Sequence, residues 1–181
     1  MRPRVIAAIL VTVVAAAVMT LATGATFSIA TSNAGDGFSA GTVYLDDNDG
    51  GAALLSLSSV RPGGNTTACV QVRFLGTLAS DVQLYAAVSG SLAPYLDVVV
   101  TRGTETSPSS SCSTFSADAF GVIYSGTLSS YPAAYATGVV DPETWTTGTT
   151  HSYKLSVTLA NNAAAQGLSA TATLQWEARN Q

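Results

Sequence analysis

From residue 26 onward, apolar and polar positions alternate with a period of two. Val70, Val72 and Phe74 alternate with Gln71 and Arg73, and Val82, Leu84, Ala86 and Val88 form a second run. Tyr153, Leu155, Val157 and Leu159 alternate with Lys154, Ser156 and Thr158, and Ala170, Ala172, Leu174 and Trp176 with Thr171, Thr173, Gln175 and Glu177. Successive side chains of an extended chain point to opposite faces, so each run predicts a strand with one buried face. Turn formers separate the runs: Asp49-Gly50-Gly51, Arg61-Pro62-Gly63-Gly64, Ser89-Gly90, Asn161-Asn162 and Gln166-Gly167. Short strands at close intervals, with no long amphipathic helical stretch among them, predict an all-β fold. The architecture expected is an antiparallel two-sheet sandwich, jelly-roll-like.

Two segments break the alternation. Residues 104–117 are serine-rich, and residues 129–150 carry Pro132, Pro142 and several glycines, so both are predicted to be long loops. The second loop takes Trp145, and His151 is read as a solvated residue of the same Thr/Gly-rich stretch. Ala163-Ala164-Ala165 predicts a single helical turn. Trp176, on the apolar phase of the last strand, is expected in the core.

Residues 1–25 have a different pattern. Arg2 and Arg4 precede an apolar run over residues 5–22, interrupted only by Thr12 and Thr20 and followed by Thr23, Gly24 and Ala25. A basic start, an apolar stretch and small residues at its end predict a secretory signal helix, cleaved after Ala25. The alternative is an uncleaved membrane anchor, because the run approaches the length that spans a bilayer. The predicted organisation is a signal peptide over 1–25 and one sandwich domain over 26–181.

Export changes the charge balance. Two of the seven basic residues leave with the signal while all eleven acidic ones stay, which takes the formal charge from −4 to −6. An acidic chain without a basic cluster argues against nucleic acid as a partner, and against an anionic membrane surface once the signal is removed. In an exported chain the two cysteines, Cys69 and Cys112, are expected to form a disulfide, with two buried free thiols as the alternative.

The candidate chemistry is sparse. Gly37-Phe38-Ser39-Ala40-Gly41 matches the G-x-S-x-G pattern of serine hydrolases, but a nucleophile elbow needs a strand before it and a helix after it. Here the sequence continues as Thr42-Val43-Tyr44-Leu45, an alternating strand start, so Ser39 is read as part of a glycine-permitted turn. One histidine cannot supply the two imidazoles of an H-E-x-x-H zinc helix. Asp46, Asp47 and Asp49 cluster oxygen ligands as a calcium loop does, without the alternate spacing and downstream Glu of an EF-hand, and a polar hairpin turn competes with that reading. Asn65-Thr66-Thr67 is a formal glycosylation sequon. No catalytic residue and no cofactor follow from these features.

The order of several short segments resembles the TasA/camelysin family of secreted Gram-positive proteins. Those segments are TGATFS, NAGDGFSAGTVYL, RPGG, CVQVRFLG, LYAAV, YLDVVV and AQGLSATATLQWEA, spread over most of residues 26–180. The resemblance implies a jelly-roll-like sandwich exported through a dedicated signal peptidase, in a family where some members polymerise into matrix fibres and others are described as camelysin-type metallo-endopeptidases. No zinc-ligand spacing carries over to this chain.

Three function classes are therefore weighed: a secreted structural or interaction protein of the cell surface or matrix, a camelysin-like metallo-endopeptidase, and a small carbohydrate- or calcium-binding module. A peptidase should show convergent histidine and carboxylates, and a sugar site several exposed aromatics, so the scarcity of both favours the first class. Its partners would be further copies of itself or sister matrix proteins, with signal peptidase met during export. Cleavage after Ala25 would leave residues 26–31 (TFSIAT) as a terminal strand on which Phe27 and Ile29 share one face. That strand either pairs within its own chain or completes the sheet of the next subunit.

Overall fold

Strand β2 (Asn65–Phe74) shows how the alternation becomes a layer. Val70, Val72 and Phe74 are buried, while Gln71 and Arg73 face away. Its neighbour β7 (Thr150–Leu159) adds Tyr153, Leu155 and Val157 to the same face, and β4 (Leu96–Glu105) adds Leu96, Val98 and Val100. The opposing layer is centred on β3 (Ser80–Ser89), whose Val82, Leu84 and Ala86 close the core from the other side. The computed structural model of the chain describes residues 41–48, 61–108 and 111–180. The predicted signal helix, Phe27, Ile29, Ser39 and Asp49 lie outside the described residues.

The remaining strands are β1 (Leu45–Asp47), β5 (Phe115–Thr127), β6 (Val139–Trp145) and β8 (Thr171–Asn180). All pairings are antiparallel, in a five-stranded sheet of order β1-β2-β7-β4-β5 and a three-stranded sheet of order β6-β3-β8. The predicted antiparallel sandwich is thus present. The pairs are nested: β4 lies beside β5, β3 beside β6 and β2 beside β7, the winding of a jelly roll. The next pair in that series would set a first strand beside β8. Instead the three-residue β1 pairs with the end of β2, and among the described residues β8 has β3 as its one sheet neighbour.

The predicted turns at Gly63 and Gly90 occur where glycine is required. Gly63 has φ +76° and lies inside the turn closed by the Gly64 N–H donating to the Arg61 carbonyl at 2.7 Å. Gly90 has φ +102°, and a β-carbon there would collide with the Ser169 carbonyl. Ala163–Ala165 forms the predicted single turn, capped by the Asn162 side chain, which accepts from the Ala164 N–H at 2.9 Å.

Both predicted long loops are shorter than the sequence suggested. β4 runs through Thr104 and Glu105, and β5 begins at Phe115, so strand ends take both margins of the serine-rich segment. Within residues 129–150, Val139–Trp145 is strand β6, and Trp145 is fully buried in the core rather than on a loop. Proline at 142 concealed this strand. It is accommodated because β6 ends the three-stranded sheet, where half of its backbone N–H groups need no ladder partner. Trp176 is half-buried and packs against the core, as its phase predicted.

Cys69 and Cys112 form a disulfide, with Cα atoms 5.2 Å apart, across 43 residues of sequence. Cys69 follows the outward phase of β2, yet it is buried. The bond draws the end of the serine-rich segment over the outer face of the five-stranded sheet, where Lys154 also lies over the Phe115 ring at 5.1 Å.

Candidate functional site

The two long sides of the sandwich are built differently. On one side β5 and β6 face each other, and the gap between the sheets is filled by charge. Arg102 of β4 places Nε 3.4 Å from Asp118 of β5 and 3.5 Å from Asp141 of β6, and its Nη2 lies 2.5 Å from Glu143. Asp141 is wholly buried and accepts a hydrogen bond from the Tyr153 hydroxyl at 2.7 Å and another from the Glu143 N–H at 3.1 Å. His151 completes the group, 2.9 Å from Arg102 Nη2 and 3.0 Å from Glu143, with its ring edge-on to Trp145 at 5.1 Å.

This cluster corrects the reading of His151 as a solvated loop residue. It belongs to β7, opposite Val72, and its side chain is only 11% exposed. Sequence reasoning also missed the whole network. One signal was available: Asp141 and Glu143 are two residues apart, the spacing that puts both carboxylates on one face of a strand. Chemically the cluster resembles a lock more than a reaction centre. Burial, and then the adjacent Asp141 carboxylate, hold the Tyr153 phenol well above its ordinary titration range, so it acts as a fixed hydrogen-bond donor. Among the described residues no group of three His, Cys, Asp or Glu side chains is placed to hold a metal ion.

On the other side, between β1 and β8, the described residues leave the sandwich open. A groove of about 340 Å³ runs there, with Leu45, Val72, Leu174 and Trp176 among its apolar lining and Asp46, Asp47 and Glu177 among its polar lining. Asp46 pairs in register with Arg73 and Asp47 with Val72, so these two carboxylates leave β1 on opposite faces. Asp47 shares the inward face with Leu45 yet is exposed. Trp176 rests its ring against Tyr153 at 5.6 Å, so its apolar surface is held in place from the core. On β8 the Glu177 carboxylate accepts from the Tyr85 hydroxyl at 2.6 Å and from Arg179 Nε at 2.7 Å, and the Arg179 guanidinium stacks over Tyr135. These two hydrogen bonds, that from Tyr85 first, hold the Glu177 carboxyl below its ordinary range.

The two outer strands differ as well. β5 leaves its ladder with β4: Thr101 pairs with Val122 and Gly103 with Ala117, so residues 118–121 bulge out. Phe120 at the tip is fully solvent-exposed with φ +60°. β8 pairs with β3 over ten consecutive residues with no irregularity, which leaves its far side straight and free of proline.

No protein-family model matches the chain, and no curated protein matches it. The described residues contain no helix long and apolar enough to cross a membrane.

Proposed function

We propose that the chain is a secreted structural or interaction protein of the cell surface or matrix, and that it works by accepting an extended strand along β8. One observation supports the reading: among the described residues β8 pairs with β3 alone, over ten regular residues, beside a groove with an apolar lining. Unprotected straight edges are templates for strand addition, and soluble proteins usually blunt them. The nested strand order supports it too, since the position beside β8 is where a first strand would complete the winding.

The donor proposed is residues 26–31, contributed by a neighbouring copy. Phe27 and Ile29 are spaced to fill the groove against Leu174 and Trp176 while the donor backbone pairs with β8. The resemblance to secreted matrix proteins points the same way. A head-to-tail contact of this kind need not close, so its product is a filament.

The test compares protein beginning at Thr26 with protein beginning at Ser32, by light scattering and electron microscopy. The expected result is polymer from the longer chain alone, lost again on Leu174→Lys, which puts an inward-pointing charge on the edge strand. If the chain from Thr26 stays monomeric at high concentration, the exchange reading is wrong.

A further inference from the structure

We propose that the Cys69–Cys112 bond is a thiol-exchange site, at which the thiolate of a small-molecule thiol attacks Cys112 and expels Cys69. The two sulfurs sit in different surroundings. Cys69 is 2% exposed, in the middle of β2 on the outer face of the five-stranded sheet. Cys112 is partly exposed, in a turn that the Phe115 N–H closes by donating to the Cys112 carbonyl at 3.2 Å. Which sulfur of a disulfide is attacked depends on access, and access here favours Cys112. Cys112 also holds φ +57°, a left-handed conformation that is costly for a residue with a β-carbon. Opening the bond lets that residue relax.

The leaving sulfur has a cation for a neighbour. In the β2/β7 ladder Cys69 stands directly opposite Lys154, and opposed residues of an antiparallel pair share one face with β-carbons about 4.5–5.5 Å apart. Lys154 is the one lysine of the chain. Its ammonium lies over the ring of Phe115, at the foot of the segment that carries Cys112, and among the described residues no carboxylate pairs with it. A lysine side chain is long enough to swing from that ring to the sulfur of a cross-strand neighbour. A cation beside a thiol favours its thiolate, and a thiol that ionises readily leaves faster.

The incoming thiol is the only co-reactant. Its thiolate forms an S–S bond to Cys112 as the Cys69–Cys112 bond breaks, and the electron pair of the broken bond leaves on Cys69 as a thiolate beside Lys154. Attack by that thiolate on the mixed disulfide restores the original bond and releases the thiol, so attachment at Cys112 is reversible. The sheet is spared because the base of the segment is closed separately. The Ser107 N–H donates to Thr114 Oγ1, and the Thr114 hydroxyl donates to the Ser107 carbonyl, both at 3.1 Å. Opening therefore frees the tip around Cys112 and leaves β4 and β5 paired.

The experiment exposes the intact, unreduced protein to 2-mercaptoethanol at about pH 8, caps free thiols with iodoacetamide at early times, and locates both modifications by peptide mass mapping. The expected product carries mercaptoethanol on Cys112 and the cap on Cys69, at least about ten-fold in excess of the reverse arrangement. In urea both sulfurs are accessible and the preference should vanish. Lys154→Met should slow opening about three- to ten-fold at low salt, an effect that fades at high salt. Lys154→Arg should restore the rate by restoring the charge, with circular dichroism checking that both variants keep their sheets. Mercaptoethanol spread equally over the two cysteines, or no adduct from the folded protein, overturns the exchange site. Equal rates for the parent and Lys154→Met overturn the assignment of Lys154.

Discussion

The β5/β6 side and the β1/β8 side of this sandwich pose the same physical problem, two sheet margins meeting over a core, and solve it in opposite ways. The first is closed by a guanidinium shared among three carboxylates and by a bulge that disrupts the outer strand. The second keeps a straight edge and an open groove beside it. Bulges, inward charges and short strands are how proteins discourage edge-to-edge pairing. The contrast therefore reads as polarity among the described residues: one side is protected and the other is not, which under the proposed strand addition would give association a direction.

The closed side breaks most expensively. Arg102→Ala would leave Asp141 buried with a like-charged Glu143 beside it and no guanidinium to balance them. Breaking a buried ion network by removing one partner costs about 3–5 kcal/mol. The expected outcome is that loss of stability in urea melts, with binding at the β8 side preserved wherever the variant remains folded. A loss under 1 kcal/mol would show that the network is solvated and that packing alone closes this side.

The disulfide separates stability from assembly. Cys69→Ser with Cys112→Ser should cost up to about 4 kcal/mol on the chain-entropy account of a loop of this length. Because the bond lies on the outer face of the five-stranded sheet, away from the groove, polymer formation at low temperature should be unchanged. If assembly were lost while the fold survived, the serine-rich strap would have to take part in the acceptor side.

The same two sides explain what the sequence made legible. Period-two runs exposed β2, β3, β7 and β8, because each buries one face and shows the other. The pairing of Cys69 with Cys112 also followed from their number and from predicted export. β6 was hidden because Pro142, Glu143 and Thr144 read as loop, and a terminal strand tolerates them. The charge cluster was hidden for a deeper reason: Arg102, Asp118, Asp141, Glu143 and His151 come from four strands, and only nesting of the pairs brings them together. The proposed acceptor edge, too, is a property of strand order. Nothing in the composition of β8 foretells that, among the described residues, it pairs on one side alone.

The smallest expected effect concerns the acid limit of the open side. Tyr85 and Arg179 hold the Glu177 carboxyl below its ordinary range, so Glu177 binds its proton less readily in the folded chain than in the unfolded one. The stabilisation is fully present above the ordinary Glu pKa of about 4.3 and is lost as pH falls through the depressed folded value. Glu177 is about one-third exposed, with a side-chain exposure of 34%, so solvent screening limits the effect to a few tenths of a kcal/mol. Glu177→Gln should therefore leave stability at pH 7 lower by that amount and should flatten the stability profile below about pH 4. The closed side should be indifferent to this change, because Arg102 and its carboxylates share no partner with Glu177. Urea melts of both proteins between pH 7 and 3 would measure it. A variant profile that runs parallel to the parent through the acid range would mean that the Tyr85–Glu177–Arg179 contacts do not persist in solution.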